Sequence, residues 1–511
     1  MSAEIAPPPA AALPLIEHWI DGRTVASSAR APVFNPALGR QIRAVAMGGH
    51  AEIALAASAA ERAQPAWAAL SPQRRARHLF ELKQLLLEER AALARAISEE
   101  HGKTIQDAVG EVTRGIEVVE YACAAPQLLT GAYSHNVGGN ADTFSVRVPL
   151  GIVAGITPFN FPAMVPLWMF PLALACGNAF ILKPSERDPS AALLLARLAQ
   201  RAGVPDGVLN VVHGDRGAVA AVLEEPRIAA VSFIGSTPVA RHVQLEAIRH
   251  GKRVQALGGA KNHLLVMPDA DLDVTVEAIV GAAYGSAGER CMAASIVLAV
   301  GDELAERLIA HLARRLAGLR VGAPDAPDTE MGPLVTQAHR ERVREYIDAG
   351  VREGAALVVD GRDLSGAALH GGFFLGPSLF DRVRPHMRIY REEIFGPVLG
   401  IVRVADLASA VRLINAHELA NGAVIFTASG AAARRFAAEV ETGMVGVNVA
   451  IPVPVAHHSF GGWRSSMYGD HHVYGEEGVR FYTRLKCVTQ RWLAPPQGGS
   501  RLTMPAGDET L

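Results

Sequence analysis

From about residue 148 onward the sequence alternates short apolar runs with amphipathic ones, and this alternation narrows the possible folds more than any other feature. AFILKPS (179–185) reads as a buried strand and SAALLLARLAQRAG as a helix. GVLNVVHG reads as a strand, AVAAVLEEPRI as a helix, and AAVSFIGS as a strand leading into another helix. Strands separated by helices imply crossover connections and a parallel sheet covered on both faces. A second series begins near LLVMPDADLD (264–273) and runs to about 450, including the helix ELAERLIAHLARRLAGL. The chain has 511 residues, and single cores stop growing at roughly 250–300 residues, so more than one domain is expected. In such sheets ligands sit at the carboxyl ends of strands.

Residues 51–130 repeat apolar positions every three or four residues and are expected to be helical. DTFSVRVP (142–149) alternates as an exposed strand would, GIVAGITP gives a short apolar strand, and GVRFYTRLKCVTQRW reads as one member of a strand pair. AMVPLWMFPLALACGNAFIL (163–182) is about long enough to cross a bilayer. Pro166, Pro171, Gly177 and Asn178 interrupt it and Lys183 follows at once, so a buried helix leading into a buried strand is the better reading. The formal net charge of -2 gives no bulk attraction to nucleic acid or to an anionic membrane. The four cysteines, at 123, 176, 291 and 487, form no CxxC or Cys/His ladder. Neither zinc nor a disulfide framework is expected, and single thiols suit a reducing, cytoplasmic setting. His457, His458, His471 and His472 lack a third ligand at regular spacing, so no metal is expected. The Pro-rich N-terminus, with Glu4 and no basic stretch, reads as a short disordered arm rather than a signal peptide. The Pro, Gly and Ser-rich tail at 494–511 reads as unstructured.

Chemistry concentrates in GSAGERCMAAS (285–295), where Cys291 follows Arg290 among small residues. A thiol attacks as thiolate, and neighbouring positive charge or backbone amides lower its pKa from about 8.5. Taken alone, a cysteine is as readily a small buried hydrophobe. The remaining motifs decide between these. TPFNFP (157–162), LKPSE (182–186), FIGST (233–237), LGGAKN (257–262), GERCM (288–292) and EEIFGPV (392–398) occur together and in order. With them the chain resembles the aldehyde dehydrogenase superfamily from about residue 15 to 493. EVTRGIEVVEYAC, GAKNH, GSAGERCMA and GGWRSSMYG are similar to the methylmalonate-semialdehyde dehydrogenase branch, whose members transfer the product to coenzyme A.

The resemblance implies an α/β fold with two Rossmann-type parallel-sheet domains and a small β oligomerisation element. Residues 1–130 and 148–257 would bind NAD, 258–450 would form the catalytic domain, and 131–147 with 451–493 would make the oligomerisation and C-terminal segment of a homodimer or homotetramer. Cys291 would form a thioester, with Asn160 and the Cys291 N–H as oxyanion hole. Asn160 read by itself is a turn residue. Thr157, Phe159, Lys183, Glu186, Gly235, Ser236, Glu393 and Phe395 would hold the cofactor, with Glu186 on the adenine ribose favouring NAD over NADP. Read without the resemblance, Lys183 and Glu186 are two solvated charges at a strand end, and Phe395 is a core residue. Ala240 stands where the family often has glycine. Arg114 and Arg290 would grip the carboxylate of a small-molecule semialdehyde; the plainer reading of Arg114 is an ion pair with Glu111 or Glu117.

One departure matters for the acceptor. Hydrolytic members place a glutamate before Leu-Gly-Gly, and here that residue is Ala256. Alanine cannot activate water, whereas a thiol needs less help, so coenzyme A is expected as co-substrate. The product would then be propionyl-CoA or acetyl-CoA with carbon dioxide. A hydrolytic dehydrogenase for another aldehyde and a non-catalytic scaffold are the alternatives. His457 and His458 stand where the branch often carries apolar or aromatic residues near the substrate mouth.

Overall fold

The computed structural model describes residues 13–364, 366 and 369–492. The N-terminal arm before residue 13 and the tail after Trp492 lie outside these residues. Two large sheets form in the two regions where the sequence alternates. The first has the strand order Met467–Tyr468, Arg253–Leu257, Ile228–Ile234, Ile152–Ile156, Ala179–Lys183, Leu209–Val211, His18–Ile20, Arg23–Val25. Its five middle strands, from Arg253–Leu257 to Leu209–Val211, are parallel. The second orders Ala356–Val359, Ser378–Asp381, Val398–Val404, Ala294–Val300, Asn262–Val266, Gly422–Phe426 and Met444–Val447. It is parallel apart from the Ala356–Val359 edge. A third, antiparallel sheet joins Thr483–Arg491, Ala141–Pro149 and Tyr133–Ser134.

The apolar stretch at 163–182 is interior. Every residue of the helix Met164–Ala175 and of the strand Ala179–Lys183 is buried, as an all-round apolar helix requires. Among the described residues no helix is long and apolar enough to cross a membrane. The helix packs between the first sheet and the helices Pro72–Glu88 and Ile105–Ala122. Thr104 caps the last of these by accepting from the Asp107 N–H at 3.2 Å.

One expectation is corrected. GVRFYTRLKCVTQRW is not a single strand. Gly475–Tyr482 is helical and only Thr483–Arg491 is extended. Val479, Phe481 and Tyr482 are buried beside the Met164–Ala175 helix, and this packing overrides their strand-like alternation. Within the segment 451–493, Met467 and Tyr468 pair antiparallel with Leu257 and Ala256 as an edge of the first sheet.

Candidate active site

Cys291 lies in the turn between a short 3-10 turn, Gly285–Gly288, and the strand Ala294–Val300. Ser286 and Ala287 hold φ of 53° and 52°, left-handed conformations that cost about 1–3 kcal/mol each and persist only where surroundings over-determine them. The turn at Cys291 that follows is held by two asparagines. Asn262 Nδ2 donates to the Cys291 carbonyl at 3.0 Å and to the Ala293 carbonyl at 3.0 Å, and Asn421 Nδ2 donates to the Cys291 carbonyl at 3.2 Å. No carbonyl among the described residues accepts from the Cys291 N–H, so this donor is free for a ligand.

Asn160 is buried, and its side-chain amide has no protein partner among the described residues. Its backbone is fixed instead. Lys103 Nζ donates to the Asn160 carbonyl at 2.5 Å and pairs with Glu111 Oε2 at 2.7 Å. The other Glu111 oxygen accepts from the N–H groups of Ala163 and Met164 at 2.9 and 3.1 Å. Both charged side chains are fully buried. An ion pair therefore ties the Ile105–Ala122 helix to the start of the Met164–Ala175 helix and holds the loop carrying Asn160.

The thiol does not have the electrostatics that its arginine neighbour suggests. Burial pushes the Cys291 thiol up to about 12 and the Glu393 carboxylate adds to this. The N–H groups of Cys291 and Met292 and the Arg290 charge oppose it only weakly. The reason is geometric: Arg290 turns its guanidinium to Asp107 Oδ1 at 2.5 Å. Glu393 lines the same cavity as Cys291. Burial raises its carboxyl to about 7, against the Ala260 N–H, Lys261 and Arg342. In the unliganded protein, Cys291 alkylation by iodoacetamide should rise about tenfold per pH unit from pH 7 to 9 without a plateau, because only the thiolate reacts. A plateau below pH 9 would show an activated resting thiol.

The remaining candidates form a continuous cradle. Lys183 ends its strand buried, with Nζ 3.3 Å from Glu186 Oε2. Thr157 is tied to it by an N–H···O bond of 3.1 Å to the Lys183 carbonyl, and the buried Thr157 hydroxyl oxygen has no partner among the described residues. Gly235 and Ser236 lead into the helix Thr237–Arg249, whose N-terminus has no side-chain cap; its free N–H groups suit a phosphate. Ala240 is buried within this helix. Glu393 Oε1 accepts from the Ala260 N–H at 2.9 Å, and a Cβ at Gly259 would fall 2.3 Å from Glu393 Oε2, so a side chain there would displace the carboxylate. Phe159 meets Phe395 edge-on at 5.9 Å. His339 Nε2 donates to the Phe395 carbonyl at 2.6 Å, steadying a residue with φ of 59°. An orphaned hydroxyl, an uncapped helix start and a carboxylate over a glycine together fit a dinucleotide.

Arg114 is not among the residues lining the thiol cavity, but it lies near it, since Arg114 and Cys291 both act on Tyr474. Its Nη1 pairs with Glu117 at 2.6 Å and its Nη2 donates to the Pro454 carbonyl at 3.2 Å. Of its two possible ion pairs the one with Glu117 forms, while Glu111 is committed to Lys103. Arg290 lines the thiol cavity. Ala256 is fully buried and paired with Phe233 and Tyr468, so its position offers no carboxylate. The His457 and His458 rings lie 4.8 Å apart, and His471 pairs with Glu477 at 2.8 Å. All four cysteines are free. Cys123 and Cys176 are buried, as packing residues should be, but Cys487 is exposed on its strand.

Sequence reasoning missed Lys103, Glu111, Asn262 and Asn421 as supports of the site. Asn262 falls inside LGGAKN and carried that much signal.

Over residues 23–488 the chain matches the aldehyde dehydrogenase family. It is 58% identical over 478 residues to a malonate-semialdehyde dehydrogenase of Pseudomonas aeruginosa, covering 93% of this chain and 96% of that protein. It is 50% identical, with a TM-score of 0.94, to a Sinorhizobium meliloti protein provisionally assigned as a methylmalonate-semialdehyde dehydrogenase and crystallised with NAD; the match covers 96% of this chain and 100% of that one. A methylmalonate-semialdehyde dehydrogenase from Oceanimonas doudoroffii is 51% identical with a TM-score of 0.94, over 94% of this chain and 99% of that one.

Proposed function

The chain belongs to the aldehyde dehydrogenase family, and from that premise we propose that it oxidises malonate or methylmalonate semialdehyde with NAD and delivers the acyl group to coenzyme A. The observation that carries this reading is the turn at Cys291, held by Asn262 and Asn421, which places Cys291 in one cavity with Arg290 and Glu393. Cys291, as thiolate, attacks the aldehyde carbon. The oxyanion would be received by the Cys291 N–H and the Asn160 amide, because donors fixed before charge develops lower the barrier most. Lys183, Glu186, Thr157 and the helix start at Ser236 would hold the adenosine and pyrophosphate of NAD, and Glu393 and Phe395 its nicotinamide end. Bound NAD supplies the hydride acceptor that turns the thiohemiacetal into a thioester on Cys291. The sulfur of coenzyme A then attacks the thioester carbon and expels the Cys291 thiolate. The thioester on Cys291 carries a carboxylate one carbon away; its carbon dioxide leaves, the resulting enolate takes up a proton from water, and the acyl group released on coenzyme A is acetyl or propionyl.

Coenzyme A is favoured over water because position 256 carries no carboxylate. One observation supports the hydrolytic alternative: Glu393, raised to about 7, lines the same cavity as Cys291 and could activate water. The two readings separate in one assay. NADH formation from malonate semialdehyde should fall at least about a hundredfold without coenzyme A, since general-base help is worth about 10²–10⁴. Equal turnover without it would make water the acceptor. The same reading includes self-association through the small sheet, where Thr483–Arg491 is an open edge and Leu485 and Tyr133 are exposed.

A further inference from the structure

Tyr474 has a backbone that an aromatic residue should avoid. Its φ is 48° and its ψ −168°, a region used almost only by glycine. The strain is imposed from both sides. Ser459 Oγ donates to the Tyr474 carbonyl at 2.9 Å, and Phe460 and Val473 exchange N–H···O bonds of 3.0 and 2.9 Å. At the next residue, Gly475 has φ of 60°, and a Cβ there would meet Ser459 Oγ at 2.7 Å. The strained backbone sends the Tyr474 side chain inward. Its ring lies edge-on to Trp168 at 5.1 Å, within the apolar cluster against which Cys291 and Val453 pack.

Packing alone would be served by phenylalanine, but Tyr474 uses its hydroxyl. The phenol donates to the Pro454 carbonyl at 3.2 Å, the same oxygen that accepts from Arg114 Nη2 at 3.2 Å. Two donors from separate helical elements thus converge on one backbone oxygen. Burial raises the phenol pKa, and both Arg114 and Cys291 lie close enough to bias it. The hydroxyl therefore stays protonated and donating. The other Arg114 partner, Glu117, is a half-exposed side chain that an incoming carboxylate can replace, whereas a backbone carbonyl fixed by Tyr474 cannot be displaced.

We propose that Tyr474 is a positioning residue: through the Pro454 carbonyl it holds Arg114 in the orientation that receives the substrate carboxylate. This rests on the proposed role of Arg114 as a substrate ligand. The test compares Tyr474→Phe and Arg114→Gln on malonate semialdehyde and on propanal, which lacks the carboxylate, with NAD and coenzyme A saturating. Tyr474→Phe should raise KM for malonate semialdehyde about fivefold to tenfold, the value of one hydrogen bond to a polar partner. Its kcat and its KM for propanal should stay within about twofold, because the ring remains in place. Arg114→Gln should show the same selectivity with a larger rise, about a hundredfold. A selective Arg114→Gln with an unselective or silent Tyr474→Phe would overturn the proposal alone. An unselective Arg114→Gln would remove the substrate role of Arg114 and the proposal with it.

Discussion

Cys291→Ala should lower NADH formation from malonate semialdehyde by at least about four orders of magnitude, as loss of a covalent nucleophile does, while leaving NAD affinity within about twofold. The two halves of this expectation come from different parts of the site. Asn262 and Asn421 hold the carbonyl of residue 291 rather than its side chain, so alanine leaves the turn and its N–H in place. Lys183, Glu186 and Thr157 make their contacts among themselves. Stopped-flow NADH absorbance and a titration of NAD binding test both halves. A burst of NADH from the alanine variant would mean that hydride leaves without a thiohemiacetal, and the covalent mechanism would fail.

The second large effect concerns stability. Glu111→Ala should destabilise the protein by about 3–5 kcal/mol, because it leaves the Lys103 ammonium buried and uncompensated. It also strips an acceptor from the N–H groups of Ala163 and Met164. Urea unfolding of wild type and variant measures the loss. The double replacement Lys103→Met with Glu111→Leu should recover most of it, since apolar pairs of similar volume substitute well for buried ion pairs. Activity should not recover: without Lys103 nothing fixes the Asn160 carbonyl, and kcat should remain about 10²-fold low, the value of one oxyanion donor. Recovery of kcat in the double variant would show that the loop holds Asn160 by itself.

What could be read from the sequence and what could not divide along physical lines. Strand and helix alternation is local, and the two parallel sheets emerge from it. Cys291, Lys183, Glu186 and Glu393 lie in compact motifs, each a few residues long, and the structure gathers Cys291 and Glu393 into one cavity. The supports of the site are not local. Asp107 reaches Arg290 across 183 positions and Asn421 reaches Cys291 across 130, and no periodicity marks such pairs. The same cause applies to Arg290: adjacency to Cys291 in sequence says nothing about where its guanidinium points, and it points to Asp107. In GVRFY the alternation of Val479 and Phe481 imitates a strand, and only the neighbouring helix decides otherwise.

The edge strand Met467–Tyr468 carries a consequence for biosynthesis. Ser466, just before it, accepts the Gly258 N–H through its carbonyl at 2.9 Å, donates to the Gly259 carbonyl through its hydroxyl at 2.7 Å, and receives the Ala420 N–H at 3.1 Å. Ser466, which follows all of these residues in the chain, therefore stitches together the glycine pair beneath Glu393 and the segment that carries Asn421. A ribosome emits residues in order, so the nascent polypeptide exposes Cys291 long before those stitches exist. Between the synthesis of Cys291 and that of Ser466 the thiol is an unassembled side chain, and the catalyst is completed only when the segment carrying Ser466 folds back over the first sheet.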